Sequence, residues 1–146
     1  MPRYFTLEQA ERVLPEVERV LRDALSHKTE YQAAEDELKQ IMQRIRVAGG
    51  SRVNPGPILA LRARRDTAAA AVKQAFENID EIGAVIKDLD IGLIDFLTRY
   101  HGREVYLCWK LGEDKIRFWH GLEEGFRGRK LIDDEFLRNH RGDSAN

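Results

Sequence analysis

The sequence predicts an α+β fold, in which a long antiparallel helical hairpin of coiled-coil type precedes a small three- to four-stranded antiparallel sheet. Residues 7–82 keep a helical apolar spacing that one glycine- and proline-rich segment interrupts, and residues 83–130 change to an alternating spacing. Helices and strands are therefore segregated along the chain, as α+β folds require. A length of 146 residues fits one domain with its own core. We expect a single domain over residues 1–146, ending in a short helix and a flexible tail over residues 131–146.

The first helix has a defined start. Thr6 with Gln9 three residues later has the pattern of a capping box, in which each side chain accepts a hydrogen bond from the other residue's backbone amide. Pro15 lacks the amide hydrogen that a helix interior needs, so we expect a kink or a fresh helix there. Beyond it, apolar residues recur at spacings of three and four or their multiples. They are Val17, Leu21, Ala24, Tyr31, Leu38, Met42 and Ile45.

The segment Ala48–Pro57 concentrates glycine and proline and is predicted to be a loop. The helix after it keeps a seven-residue apolar rhythm, and its alanine run Ala68–Ala71 would let two helices approach closely. Lys28, Glu35 and Arg65 interrupt the two apolar stripes. Two such helices joined by one loop predict an antiparallel hairpin. The apolar positions of the second helix are Ile58, Leu61, Ala68, Val72, Ala75, Ile79 and Ile82.

Gly83 is placed to end the second helix, and short strands bounded by turn residues follow it. The strands are predicted over Ala84–Lys87, Asp90–Leu97, Arg103–Leu111 and Ile116–His120.

The turn Gly112–Lys115 sets the predicted register of the last two strands. A four-residue turn places Trp109 opposite Phe118 and Leu107 opposite His120, so the apolar sides of both strands match. This register predicts that Trp109 is in the core and that His120 lies on the apolar face. The other face is predicted to collect Glu104, Tyr106, Cys108, Lys110, Arg117 and Trp119.

The composition excludes several classes of protein. A net charge of −1 argues against a protein that coats nucleic acid by charge alone. One cysteine cannot form an internal disulfide, and the sequence shows neither an apolar signal segment nor a membrane span. We therefore expect a cytoplasmic protein with no membrane partner, and we predict no cofactor.

The charge pattern is the strongest functional signal. Between Leu38 and Arg65 there are seven basic residues and no acidic residue, and the hairpin gathers them at its loop end. A basic tip of this kind can bind nucleic acid or an acidic protein surface, although it is also typical of a solvated helix end. The candidate binding residues here are Arg52, Arg62, Arg64 and Arg65.

Few residues are candidates for metal binding or catalysis. Asp88 and Asp90 share strand parity and are weak candidates for a hard cation such as Mg²⁺, while nearby Asp95 has the opposite parity. Aspartate is also an ordinary turn residue, and Asp88 lies where a turn is predicted. His120 is a candidate ligand or proton carrier, but a histidine that ends a core strand has a structural role more often. Cys108 needs a neighbouring base to be a nucleophile, and a small semi-buried filler is the favoured interpretation.

Two function classes follow. The favoured one is a non-enzymatic interaction or scaffold protein, which uses the basic tip and an aromatic sheet face around Tyr106 and Trp119. The alternative is a metal-assisted enzyme that uses Asp88, Asp90, Glu104 and His120. We also expect a homodimer, because the two helical stripes offer more apolar surface than one small sheet covers.

Three segments resemble a known family. They are FTLEQAERVLP at Phe5–Pro15, GAVIKDLDIGLIDF at Gly83–Phe96 and GREVYLCWKLGEDKIRFWHGLEEGF at Gly102–Phe126. They are similar to an uncharacterised bacterial family, the domain of unknown function DUF2203. The resemblance spans nearly the whole chain and implies a small bacterial protein of unknown function. It implies no catalytic role for any residue.

Overall fold

The structure is a computed structural model that describes residues 2–49 and 54–144. Its helices α1 (Leu7–Val47) and α2 (Gly56–Ile82) are followed by an antiparallel sheet, which confirms the predicted α+β fold with a helical hairpin. None of the described helices is both long enough and apolar enough to cross a membrane.

The chain divides into two compact units. The hairpin unit is Arg22–Ala75, and the sheet unit joins Met1–Leu21 to Phe76–Asn146. The two units are described separately below.

The hairpin unit packs the two helices along the predicted stripes. Its buried apolar side chains are small or medium in size, which suits close helix contact. Two of the charged residues that interrupt the stripes are satisfied by each other, since Arg65 Nη1 donates to Glu35 Oε1 at 3.0 Å. Met42, at the loop end of its stripe, is 45% exposed. The buried side chains are Ala24, Ala34, Leu38, Leu61, Ala68 and Ala75.

Helix α1 starts in the sheet unit with the predicted capping box. Thr6 N donates to Gln9 Oε1 at 2.9 Å, and Gln9 N donates to Thr6 Oγ1 at 3.1 Å. The helix then runs through Pro15, so no fresh helix begins there. Because Pro15 has no N–H, the Glu11 carbonyl lacks its usual helical donor, and the exposure of Pro15 lets the helix continue around it.

The sheet contains the predicted strands with shifted ends, and two short strands in addition. Strands β1 to β5 neighbour one another in chain order, and β6 pairs with the end of β2 beyond β1. The strands are β1 (Ala84–Asp88), β2 (Leu93–Tyr100), β3 (Arg103–Lys110), β4 (Phe118–Gly121), β5 (Lys130–Leu131) and β6 (His140–Arg141).

The predicted register of β3 and β4 is wrong by one residue. Cys108, not Trp109, pairs with Phe118, and Tyr106, not Leu107, pairs with His120. A shift of one residue moves every side chain of β4 to the other sheet face. His120 therefore leaves the apolar face on which the sequence prediction placed it.

The cause lies in the connection between β3 and β4, residues 111–117, which is longer than the predicted four-residue turn. Glu113 folds back onto the end of β3, where its backbone carbonyl accepts from Trp109 Nε1 at 3.0 Å and its Oε1 accepts from Lys110 N at 2.6 Å. Ile116 N donates to Glu11 Oε1 of α1 at 2.9 Å, so Ile116 joins the helix side instead of starting a strand. These contacts replace a tight turn, and β4 begins two residues later than predicted.

The end of the chain, predicted to be a flexible tail, is docked on the sheet unit up to Asp143. After the short helix α3 (Asp134–Asn139), Leu7 N donates to His140 Nε2 at 3.0 Å, and Tyr4 N donates to Asp143 Oδ2 at 3.1 Å. A Cβ atom added to Gly142 would lie 2.4 Å from Thr6 N. A residue without a side chain is therefore required where the tail crosses the start of α1.

Candidate functional site

The shifted register brings three side chains of different chemistry onto one sheet face. Asp95 on β2 lies directly opposite Cys108 on β3, and His120 on β4 is the diagonal neighbour of Cys108. Asp95 and Cys108 are 0% exposed and His120 is 2% exposed. Within residues 2–49 and 54–144, this is the one place where three potential metal ligands bring their atoms within 4.8 Å of one another. We call it the Asp–Cys–His cluster.

The hydrogen bonds of His120 define the proton arrangement of the cluster. Nδ1 lies 2.8 Å from the Gly121 carbonyl oxygen, which can only accept, so Nδ1 carries a proton. Nε2 lies 3.0 Å from Asp95 Oδ1. A neutral imidazole would therefore aim its Nε2 lone pair at a carboxylate. Either a proton or another cation must lie between His120 and Asp95.

The other Asp95 oxygen is not satisfied. Oδ2 is also 3.0 Å from His120 Nε2, yet it is a buried oxygen that makes no hydrogen bond to any described residue, because the ring nitrogen is directed at Oδ1. Such a buried acceptor costs about 1–3 kcal/mol when it has no partner. Oδ2 therefore remains able to accept a hydrogen bond or to bind a cation.

Burial and charge set the pKa values in the cluster. Burial first, and then the charge of Asp95, raises the pKa of the Cys108 thiol to about 12. Burial alone would lower the pKa of His120, but its hydrogen bonds to Asp95 and to the Gly121 carbonyl outweigh burial and raise it.

These features exclude a cysteine nucleophile. A nucleophilic cysteine needs a base aimed at its sulfur and a lowered pKa. Both ring nitrogens of His120 face other partners, and the pKa of Cys108 is raised. The sequence prediction of a semi-buried position is wrong for Cys108, since its side chain is 0% exposed.

The residues of the predicted metal-assisted enzyme do not meet. Asp88 Oδ1 accepts from the backbone amides of Asp90 and Ile91 at 3.0 and 3.3 Å, which is the turn-forming role of aspartate. Glu104 Oε1 accepts from Tyr4 Oη at 2.8 Å. Asp88, Asp90 and Glu104 lie outside the three-residue Asp–Cys–His cluster that contains His120.

The predicted aromatic sheet face is not formed. Tyr106 shares its face with His120, whereas Trp119 pairs with Leu107 on the opposite, apolar face. There Trp119 stacks on Phe136 of α3 with ring centroids 5.1 Å apart. The two aromatic residues were assigned to one face only because the register prediction was one residue off.

The hairpin unit carries a basic groove of about 340 Å³. Helix α1 contributes Lys39 and Arg46, and helix α2 contributes Arg62. Among the described residues that line the groove, the one acidic side chain is Glu35, and Arg65 is bound to it. The remaining described lining residues are Leu38, Met42 and Gln43.

The structure separates the four arginines that the sequence singled out. Arg62 and Arg65 line the basic groove, but Arg65 is held by Glu35 and Asp66, and these contacts raise its pKa. Arg64 lines a different cavity and lies 3.8 Å from both Glu30 and Glu37. Arg52 lies outside the described residues.

Sequence reasoning missed two parts of these sites. Lys39 and Arg46 were counted in the charge pattern but were not chosen as candidate binding residues, although a spacing of seven places them on one face of α1.

Asp95, Cys108 and His120 were each considered alone as candidate site residues. A register in which Cys108 faced Phe118 would have grouped them, and the acid Glu113 inside the predicted turn was the signal for a longer connection.

The fold and the two sites define an α+β protein with a basic helical hairpin and a buried Asp–Cys–His cluster. The chain belongs to the family described as uncharacterized conserved protein (DUF2203), whose family model matches residues 3–132. No curated protein and no solved structure matches the chain.

Proposed function

We propose that this protein is a non-enzymatic interaction protein whose basic groove binds the phosphate backbone of a nucleic acid. The observation that carries the proposal is the charge of the groove. Lys39, Arg46 and Arg62 line it, and none of the three forms an ion pair with another described residue.

The spacing of these cations favours an extended polyanion over a single phosphate ion. Lys39 and Arg46 are seven residues apart on α1, a rise of about 10 Å at 1.5 Å per residue. One small ion would need cations that converge on a point. A chain of phosphates can instead contact cations that are spread over two helical turns.

The composition of the groove also indicates which parts of a nucleic acid it would contact. No aromatic side chain is among its described lining residues, so bases have no stacking surface there. Contacts from lysine and arginine to phosphate fix the position of a nucleic acid but carry no sequence information. The expected binding is therefore independent of sequence.

The enzyme alternative has less support. It needs Asp88, Asp90, Glu104 and His120 in one site, whereas Asp88 closes a turn and Glu104 accepts from Tyr4. His120 is committed to Asp95 and Gly121.

Binding is tested by fluorescence anisotropy with a labelled single-stranded RNA and a labelled DNA duplex at low salt. The triple variant Lys39→Gln, Arg46→Gln, Arg62→Gln should weaken binding by about tenfold or more, because each lost phosphate contact removes counterion release. The matched control is Arg12→Gln, Arg19→Gln, Arg117→Gln, which removes the same charge from exposed side chains outside the groove.

The control should change the affinity far less than the groove variant. Equal losses in both variants would mean that net charge, and not the groove, attracts nucleic acid. Binding to neither probe would contradict the proposal. Binding of polyglutamate alone would assign the groove to acidic proteins instead.

A second copy of the chain is the other partner that we propose. Large apolar side chains are exposed on the hairpin unit, with Val47 79% and Leu59 60% exposed. A homodimer would remove such surface from water, which stabilises association by about 25 cal/mol per Å² before the costs of ordering.

A further inference from the structure

We propose that the Asp–Cys–His cluster is a binding site for Zn²⁺. The proposal is independent of the basic groove and rests on the geometry of three strands in the sheet unit. One carboxylate, one thiol and one imidazole converge within 4.8 Å, and all three residues are buried.

The donor set fits zinc better than a hard cation. Zinc binds sulfur, imidazole nitrogen and carboxylate oxygen, whereas Mg²⁺ and Ca²⁺ prefer oxygen ligands alone. A deprotonated Cys108, an ionised Asp95 and a neutral His120 together carry two negative charges. One Zn²⁺ would neutralise them, which matters because an uncompensated charge in a buried site is costly.

His120 already has the orientation of a metal ligand. Metal-bound histidines usually donate their other ring N–H to a carbonyl or carboxylate, which fixes the ring. Here Nδ1 donates to the Gly121 carbonyl at 2.8 Å and Nε2 points into the cluster. The backbone of β4 therefore holds Nε2 toward the cluster, and loss of a proton from Nε2 would leave its lone pair directed there.

The unsatisfied oxygen of Asp95 is a second, independent observation that favours a cation ligand at this site. Oδ2 is buried and receives no hydrogen bond from any described residue, although it lies 3.0 Å from His120 Nε2. A zinc ion with bonds of about 2.0–2.3 Å would separate its ligand atoms by about 3.3–3.8 Å. The observed 3.0 Å between nitrogen and oxygen requires that pair to open by a few tenths of an ångström, and because the three ligand atoms lie within 4.8 Å of one another, a sulfur atom at that limit would move inward by about 1 Å.

A zinc ion in this site would stabilise the fold and would not take part in catalysis. Three protein ligands leave one tetrahedral position for a solvent molecule, but side chains that are 0–2% exposed offer no access to a substrate. The ion would join β2, β3 and β4 at their centre. Because the unfolded chain does not hold these ligands together, the free energy of zinc binding would add to the free energy of folding.

The rival interpretation is that Asp95 and His120 share a proton and that Cys108 takes no part in the interaction. The two interpretations differ in the role of sulfur, since only the metal site needs a thiolate.

Untagged full-length protein is refolded with Zn²⁺ or Co²⁺ so that the ion can reach the buried site. The protein is then dialysed, and its metal content is measured by inductively coupled plasma mass spectrometry. The Co²⁺ form is also examined for the near-ultraviolet charge-transfer band of a thiolate–cobalt bond.

We expect one ion per chain, the thiolate band with Co²⁺, and a higher unfolding temperature with Zn²⁺ than after refolding with a chelator. Cys108→Ser should remove the band and most of the bound zinc, and it changes the side-chain volume little. The matched control is His101→Asn, which removes an exposed histidine bound to Glu135 and should keep the full zinc content.

Asp95→Asn and His120→Asn should also lose zinc, and Cys108→Ser keeps the test decisive if either of these two fails to fold. Wild-type protein that takes up no zinc, or a Cys108→Ser variant that binds zinc as well as the wild type, would overturn the proposal. Cobalt binding without the thiolate band would do the same, because it would place the ion away from Cys108.

Discussion

The replacement of each tryptophan by alanine compares a fully buried position with a partly exposed position on the same, apolar face of the sheet. Trp109 is 0% exposed, and its Nε1 donates to the Glu113 carbonyl at 3.0 Å. Trp119 is partly exposed and packs against Phe136 of α3. The structure therefore predicts a large loss of stability for Trp109→Ala and a smaller loss for Trp119→Ala.

The magnitude follows from the buried area. A buried tryptophan hides roughly 150–250 Å², worth about 4–6 kcal/mol at ~25 cal/mol per Å², which is an upper estimate. Measured Trp→Ala substitutions in cores cost about 3–5 kcal/mol. We expect that range for Trp109→Ala, because its indole hydrogen bond is lost as well. About 1–2 kcal/mol is expected for Trp119→Ala, since its ring is only partly removed from water.

Urea unfolding followed by far-ultraviolet circular dichroism measures both changes. At a slope of about 2 kcal/mol per M, Trp109→Ala should lower the unfolding midpoint by roughly 2 M and Trp119→Ala by roughly 0.5–1 M. The slopes of the two variants should match that of the wild type. Circular dichroism is preferred because the substitutions remove fluorescent groups.

Equal losses for the two variants would refute the assignment of Trp109 to the core and of Trp119 to a partly exposed position on the same face. A larger loss for Trp119→Ala would mean that Trp119, and not Trp109, is the more deeply buried ring.

The remaining predictions concern the tail and the assembly. Gly142→Ala should lower the unfolding temperature, because the added methyl group would lie 2.4 Å from Thr6 N. Gly125→Ala is the control, since no atom lies within 4 Å of its added methyl group, and it should leave the unfolding temperature unchanged. Differential scanning calorimetry measures both variants. Equal effects of the two glycine variants would contradict the docked tail. Multi-angle light scattering should give about twice the chain mass of 16.9 kDa if the proposed homodimer forms, and a single 16.9 kDa species across micromolar concentrations would exclude it.

The helical part of the fold was predictable because its signals are local. The capping pair Thr6 and Gln9 and the apolar stripes of both helices are read from neighbouring residues, and the structure confirms them. The end of α1 and the start of α2 also fall at the predicted loop. The residues that specify such elements lie within a few positions of one another, so a single sequence contains their signals.

The register of the sheet was not predictable in the same way. It depends on Ile116 N donating to Glu11, a contact between residues 105 positions apart in the chain. Local alternation satisfied either register, because residues on both faces of β3 include large side chains. A single long-range hydrogen bond and the fold-back of Glu113 decided between them, and the Asp–Cys–His cluster depended on the outcome.

The sequence predicted that this region is basic, but it did not predict which residues line the groove. The run of basic residues between Leu38 and Arg65 located the region, but which arginines are neutralised depends on acids that lie across the hairpin. Glu35 binds Arg65, and Glu30 and Glu37 lie near Arg64. Lys39, Arg46 and Arg62 form no ion pair with another described residue and are therefore the cations left for a partner.

The salt dependence of nucleic-acid affinity tests the proposed function most directly. If Lys39, Arg46 and Arg62 each neutralise one phosphate, the logarithm of the association constant for single-stranded RNA should fall with the logarithm of salt concentration at a slope of about −2. The triple glutamine variant should flatten that slope toward zero. A wild-type slope near zero, or an unchanged slope in the variant, would contradict phosphate binding in the basic groove.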